Sequence, residues 1–158
     1  MYKRQPTDKS TIWRKLCEVP LKTVAAPDLF TRYPEPCTPD DLRPDICLSY
    51  GDSAVPEVWA FEQGTTKRPF TAGRAIQSNN GDLLYELARS GAGMVTLPAF
   101  LVTEGLASGE VVPVLPEWTL PPLWLSLFYP PYDALPPLVA TFSEFFEAYL
   151  KDLDGFEF

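Results

Sequence analysis

The chain has 158 residues, 46% of them hydrophobic and 22% charged, a balance that suits a packed domain and excludes general disorder. Thirteen Lys and Arg against 21 Asp and Glu give a net charge of -8, and no basic run exceeds a pair such as Lys67-Arg68, so this chain alone is not expected to hold a phosphate backbone. It contains neither a run of about 18 uncharged apolar residues nor the apolar core of a signal peptide, and a cytoplasmic chain without membrane contact is expected.

Along the chain, "WRKLCEVPLKTVAA" is extended in pattern, with Val19, Leu21, Thr23 and Val24 predicting a strand that ends before Pro27. Pro27 starts a short helix in "PDLFTRY", and "PDDLR" predicts another with Thr38 as its N-cap. "DICLSY" reads as a buried strand stopped by Gly51. Val58 and Ala60 then alternate with Trp59 and Phe61. After a turn around Gly64, alternation resumes through Phe70, Ala72, Arg74 and Ile76, which predicts a hairpin. Asn79 or Asn80 caps a helix carrying Leu83, Leu84 and Leu87 and ending at Gly91. "GMVTL" is a strand, Pro98 starts a helix reaching about Ala107, and "EVVPVLPEW" is a further strand. After "PEWTLPP", "LWLSLFYP" predicts a strand and Pro136-Pro137 start the longest helix, whose apolar positions include Leu138, Phe142, Phe145, Phe146 and Tyr149. The alternation of strand and helix predicts an α/β fold with a mixed, mainly parallel sheet flanked by helices.

Chemistry has little foothold in these residues. Gly51-Asp52-Ser53 matches a tripeptide found around some hydrolase nucleophiles, but a serine needs a base within reach and the chain has no histidine. A lysine would have to serve, and nothing places one beside Ser53. A turn after a strand explains the tripeptide better. Asp40 and Asp41 suit the first turn of a short helix, Glu144 and Glu147 a solvated helix face, and Gly91 and Gly93 follow a helix instead of cradling a phosphate. Cys17, Cys37 and Cys47 are odd in number with no CxxC pair, which predicts ordinary buried or partly buried thiols, no disulfide framework and no zinc site. No enzyme activity, cofactor or metal is expected.

Four segments carry a resemblance. "TVAAPDLFTRYPEPCTPDDLRPDICLSY", "VWAF", "AGRAIQSNNGDLLYELARSGAGMVTLPAFLVTEGLASGEVVPVLPEW" and "LSLFYPPYDALPPLVATFSEFFEAYL" follow, in order, the pattern of the effector-binding domain of LysR-type transcriptional regulators. The similarity runs from about Trp13 to Leu150. It implies a periplasmic-binding-protein type 2-like fold of two lobes, with the second lobe over residues 23–120 and two crossings near Glu18 to Leu21 and Thr119 to Leu123. Residues 6–22 would end the first lobe and cross from it, residues 121–150 would return to it, and residues 151–158 would form a tail. Residues 1–5 fit nothing in the family. Tyr2 to Gln5 match one frame of a sequencing adaptor, so a non-native start on an N-terminally truncated regulator is expected, with the winged helix-turn-helix and most of the first lobe missing; a short basic N-terminal tail is the alternative reading of these residues.

The resemblance further implies a bacterial regulator that senses a small effector, often a carboxylate or aromatic metabolite, and changes the geometry of a DNA-bound homodimer or homotetramer. DNA would be held only through the helix-turn-helix, not by any residue of this chain. In such sheets ligands sit beyond the carboxyl ends of strands, which nominates Ala26, Pro27, Tyr50, Gly51, Ser78, Asn79, Asn80, Leu97 and Pro98 as effector-binding. Ser78, Asn79 and Asn80 lead, because a helix N-terminus favours an anion, and Tyr50 could stack on an aromatic effector. Plain capping needs only one of the three polar residues, so both readings stay open there. A fragment of a two-lobed solute-binding protein and a free-standing interaction lobe are the alternatives. A missing half-lobe also predicts that part of the stripe Phe142, Phe145, Phe146 and Tyr149, or the edge of "LWLSLFYP", is left uncovered, and that effector binding by this piece alone is weak or absent.

Overall fold

Residues 12–51, 55–73, 76–130 and 135–158 are described by the structure, a computed structural model. Residues 1–5, where a non-native start is expected, Asp52 and Ser53 of the expected turn, and Arg74 of the hairpin lie outside the described residues.

The extended stretch at the start is two strands broken at Pro20, β1 (Ile12–Val19) and β2 (Leu21–Ala25), which belong to different sheets. β1 pairs antiparallel with β9 (Leu123–Tyr129), and the long helix α4 (Pro137–Lys151) is tied to this pair by an Arg14–Glu147 ion pair. The Tyr129 hydroxyl and Ser143 Oγ, 2.7 Å apart and buried, fix α4 on β9.

β2 enters a five-stranded sheet of order β6-β3-β7-β2-β8, built with β3 (Cys47–Tyr50), β6 (Gln77–Ser78), β7 (Met94–Pro98) and β8 (Val112–Pro113). The sheet is mixed, as expected, but parallel pairs do not dominate. β3 runs parallel to β6 and β7, whereas β2 runs antiparallel to β7 and β8. The strand expected over "EVVPVLPEW" shrinks to two residues, since Leu115 takes a φ of 54° that a ladder does not accept.

Alternation gives the sheet a core on each face. Val24, Leu48, Val95 and Leu97 meet helices α2 (Gly81–Arg89) and α3 (Ala99–Ser108) through Leu84, Ala88 and Val102. Ala25, Cys47 and Met94 point the other way, onto short helix α1 (Leu29–Arg32) and onto Trp59 and Phe61 of the hairpin β4 (Val58–Gln63) and β5 (Thr66–Thr71). The hairpin turns at Gly64 and Thr65, as its alternation predicts, but β5 stops at Thr71 instead of running on to Ile76. Thr38 heads a 3-10 turn over Pro39–Asp41, where the Asp41 carboxylate accepts from the Thr38 N–H at 2.8 Å and from its hydroxyl at 2.9 Å. Asn80 caps α2 by accepting from the Leu83 N–H at 3.1 Å, and Gly91 closes it with a φ of 78°.

All three cysteines are free thiols. Cys17 and Cys47 are buried, and burial pushes the Cys47 thiol up to about 12; Cys37 is exposed, against the expectation of buried or partly buried thiols.

The apolar stripe of α4 is largely open. Leu138 is 81% exposed, Phe142 56%, Phe145 64% and Tyr149 51%, while Phe146 is half-buried. Trp13, Trp124 and Phe128 of the β1–β9 pair are exposed too, so the uncovered surface predicted for this end of the chain is present.

Candidate functional site

Parallel pairing brings the carboxyl ends of β3, β6 and β7 to one edge of the sheet. Tyr50 lies in register with Ser78, and the Gly51 N–H donates to the Ser78 carbonyl at 3.0 Å. Gly51 has a φ of 136°, which turns the chain away from β3 at this point and which side chains rarely tolerate. The N-termini of α2 and α3 open at the same edge, close enough that a Cβ on Gly81 would lie 2.8 Å from Leu101 Cδ1. Two sets of helical N–H groups and two positive dipole ends therefore converge beside Tyr50, Ser78, Asn79, Asn80 and Pro98.

Two parts of the expected site fall elsewhere. β2 is antiparallel to β7, with Leu21 opposite Pro98 and Val24 opposite Val95, so Ala26 and Pro27 emerge at the far edge. There the Ala26 N–H donates to the Ala88 carbonyl at the end of α2. The polarity of β2, which local pattern does not encode, removes both from the cleft and brings Leu21 and Lys22 there instead. Leu97 is 1% exposed because its side chain faces the core under α2 and α3, so only its backbone reaches the edge.

The polar residues of "SNN" divide between capping and availability. Ser78 Oγ accepts from the Asn80 N–H at 3.1 Å, and Asn80 Oδ1 accepts from Leu83. Accepting these bonds spends lone pairs and leaves the Ser78 O–H and the Asn80 amide N–H groups as donors. Asn79 is exposed between them. Tyr50 is half-buried and packs against the core on the helix side of the sheet.

Glu57 belongs to this edge and sequence reasoning missed it. Its Oε2 accepts from the Tyr50 N–H at 2.7 Å. The N–H groups of Ser49 and Gly51 point to β6, so that of Tyr50 points the opposite way, toward β7, whose ladder with β3 ends at Leu48 and Val95. The carboxylate thus sits in the crevice between β3 and β7. The chain leaves β3 toward β6 on one side and leaves β7 toward β8 on the other, which makes this crevice the topological switch point of the sheet. Burial pushes the Glu57 carboxyl up, and the Tyr50 N–H opposes that shift. The Trp59 indole approaches Glu57 as well, yet its buried N–H makes no hydrogen bond of good geometry. A lone glutamate ahead of a strand carries no local signature, so only the fold reveals it.

A recess of about 290 Å3 lies on the β1–β9 pair, lined by Leu16, Cys17, Glu18, Trp124, Glu157 and Phe158, away from the strand ends. Among the described residues no group of three or more His, Cys, Asp or Glu is placed to hold a metal ion, and no helix is long and apolar enough to cross a membrane.

Residues 1–151 match the family described as the LysR substrate binding domain. The HTH-type transcriptional regulator PtxR of Pseudomonas aeruginosa is 30% identical over 139 residues, covering 88% of this chain and 45% of that protein. The regulator YhjC of Escherichia coli K12 is 26% identical over 147 residues, covering 92% of this chain and 49% of that protein. This chain therefore spans about half the length of these curated relatives. Among solved structures, the regulatory domain of AphB from Vibrio vulnificus superposes with a TM-score of 0.73 at 25% identity, over 92% of this chain and 71% of that one. CrgA of Neisseria meningitidis, a LysR-type transcriptional regulator, superposes with a TM-score of 0.79 at 23% identity, over 94% and 51%.

Proposed function

Because the chain belongs to the LysR substrate-binding domain family, we propose that it is the effector-sensing part of a cytoplasmic bacterial regulator and catalyses no reaction. The residues from β2 to the end of β8 form the second lobe, the β1–β9–α4 unit belongs to the first, and the segments around Pro20 and Thr119–Leu123 are the crossings. The effector sits at the edge formed by Tyr50, Gly51, Ser78, Asn79, Asn80 and Pro98. DNA contact falls to the helix-turn-helix of a longer chain, and the open face of α4 and the β1–β9 pair receives the rest of the first lobe.

The observation that carries this reading is the convergence of three strand ends and two helix N-termini at the switch point of the sheet. A small molecule with an anionic or polar end meets oriented donors there, and closing the cleft over it favours one arrangement of the lobes. The name HTH-type regulator, shared by PtxR and YhjC, favours this over a solute-binding protein.

Titration calorimetry of the chain with a panel of aromatic and aliphatic carboxylates tests the reading. At least one should bind, weakly, with affinity falling about tenfold in Asn79→Ala, a loss of about 1.4 kcal/mol. Affinity indifferent to Asn79→Ala and Ser78→Ala alike contradicts it.

A further inference from the structure

The family match ends at residue 151, and the seven residues that follow turn back onto the molecule. The backbones of Glu157 and Glu18 exchange two hydrogen bonds, 2.7 Å from the Glu18 N–H to the Glu157 carbonyl and 2.9 Å in return. Glu18 faces Trp124 of β9 across the ladder, and bonds of one residue point to one side, so Glu157 forms a one-residue antiparallel bridge on the outer edge of β1. The Phe156 ring stacks on Phe100 in the first turn of α3, with centroids 5.5 Å apart and planes within 4°. Gly155 has a φ of 88° and presses on the backbone at the start of α3, where a Cβ would lie 2.6 Å from the Phe100 nitrogen. Lys151 Nζ lies 5.2 Å from the Phe158 ring centroid and closes the loop onto α4.

These contacts join two bodies beside the segment that connects them. α4 belongs to the β1–β9 unit, α3 belongs to the five-stranded sheet, and Pro20, whose carbonyl accepts from the Ala99 N–H at 2.8 Å, is the joint between them. We propose that residues 152–158 are a latch across this joint, restraining how the lobe that carries α3 moves against the β1–β9–α4 unit. Rotation about Pro20 must either slide Phe156 off Phe100 or pull Glu157 from β1. The latch rests on the crossing at Pro20 proposed above but not on the effector site, and its test needs no effector.

Amide hydrogen exchange on the 158-residue chain, on a variant lacking residues 155–158 and on Gly155→Ala provides that test. Both variants should accelerate exchange by about tenfold at Leu21, at the Ala99 amide and in the first turn of α3, while Val24, Leu48 and Val95 keep their protection. Acceleration confined to Glu18, whose bond is removed directly, overturns the latch. So does a uniform rise across the sheet, which would make the segment a general stabiliser only. Effector binding without selective hinge exchange would sink the latch and leave the sensing role standing.

Discussion

The Tyr50 N–H is bonded at 2.7 Å not to a neighbouring strand but to the Glu57 carboxylate, at the place where β3 and β7 separate. A neutral amide oxygen can still accept that bond, though less strongly than a carboxylate. Glu57→Gln keeps an acceptor for Tyr50 and removes a half-buried charge, so stability at pH 7 should hold or rise. Glu57→Ala removes that acceptor and should cost about 1–3 kcal/mol in urea unfolding.

The same residue sets a pH dependence. Its folded carboxyl holds its proton above the ordinary value of 4.5, so over that window the native state binds more protons than the unfolded chain. Its contribution to stability is therefore complete below 4.5 and declines as pH rises through the raised value. Glu57→Gln should flatten that decline, measured as the unfolding midpoint at a series of pH values; an unchanged slope would contradict the assignment.

Ser143 is fully buried in α4, where its hydroxyl donates to the Val139 carbonyl at 2.6 Å and meets the Tyr129 hydroxyl. Ser143→Ala strands the Tyr129 hydroxyl and should destabilise the chain by about 1–3 kcal/mol. Pairing it with Tyr129→Phe should recover part of the loss in a double-mutant cycle, because neither partner is then left unmet.

Phe142 and Phe145 should be dispensable for the stability of this chain. Replacing both with Glu should change the unfolding free energy by no more than about 0.5 kcal/mol and should reduce self-association in sedimentation. A loss of several kcal/mol would mean that the face is covered in solution.

Gly93 precedes β7 with no room for a side chain, since a Cβ would lie 2.4 Å from the Ile46 carbonyl oxygen. Gly93→Ala must part β3 from β7 and should cost about 1–3 kcal/mol in urea unfolding.

What was legible in the sequence was local. Asn80 as a cap, Gly91 as a helix end, the hairpin about Gly64 and the α4 period all rest on interactions within a few residues, and each stands in the structure. Partner and polarity were not. The "LKTVA" pattern specifies a strand but not its direction in the sheet, which is why Ala26 and Pro27 left the site. "GMVTL" carries a large apolar residue on each face, Met94 on one and Val95 and Leu97 on the other, so its pattern could not say which core Leu97 enters. Glu57 reaches its position only through the chain reversal after Gly51, a non-local event with no sequence period.

Amide chemical-shift mapping with the tightest-binding carboxylate of the panel, at millimolar concentration so that weak binding registers, tests the central claim most directly. Perturbations should concentrate at Tyr50 and Gly51, at Ser78 to Asp82, and at Ala99 to Leu101, with Glu57 alongside. Perturbations centred on Ala26 and Ala88 at the far edge, or on Leu16 to Glu18 and Trp124 in the recess on the β1–β9 pair, would contradict it.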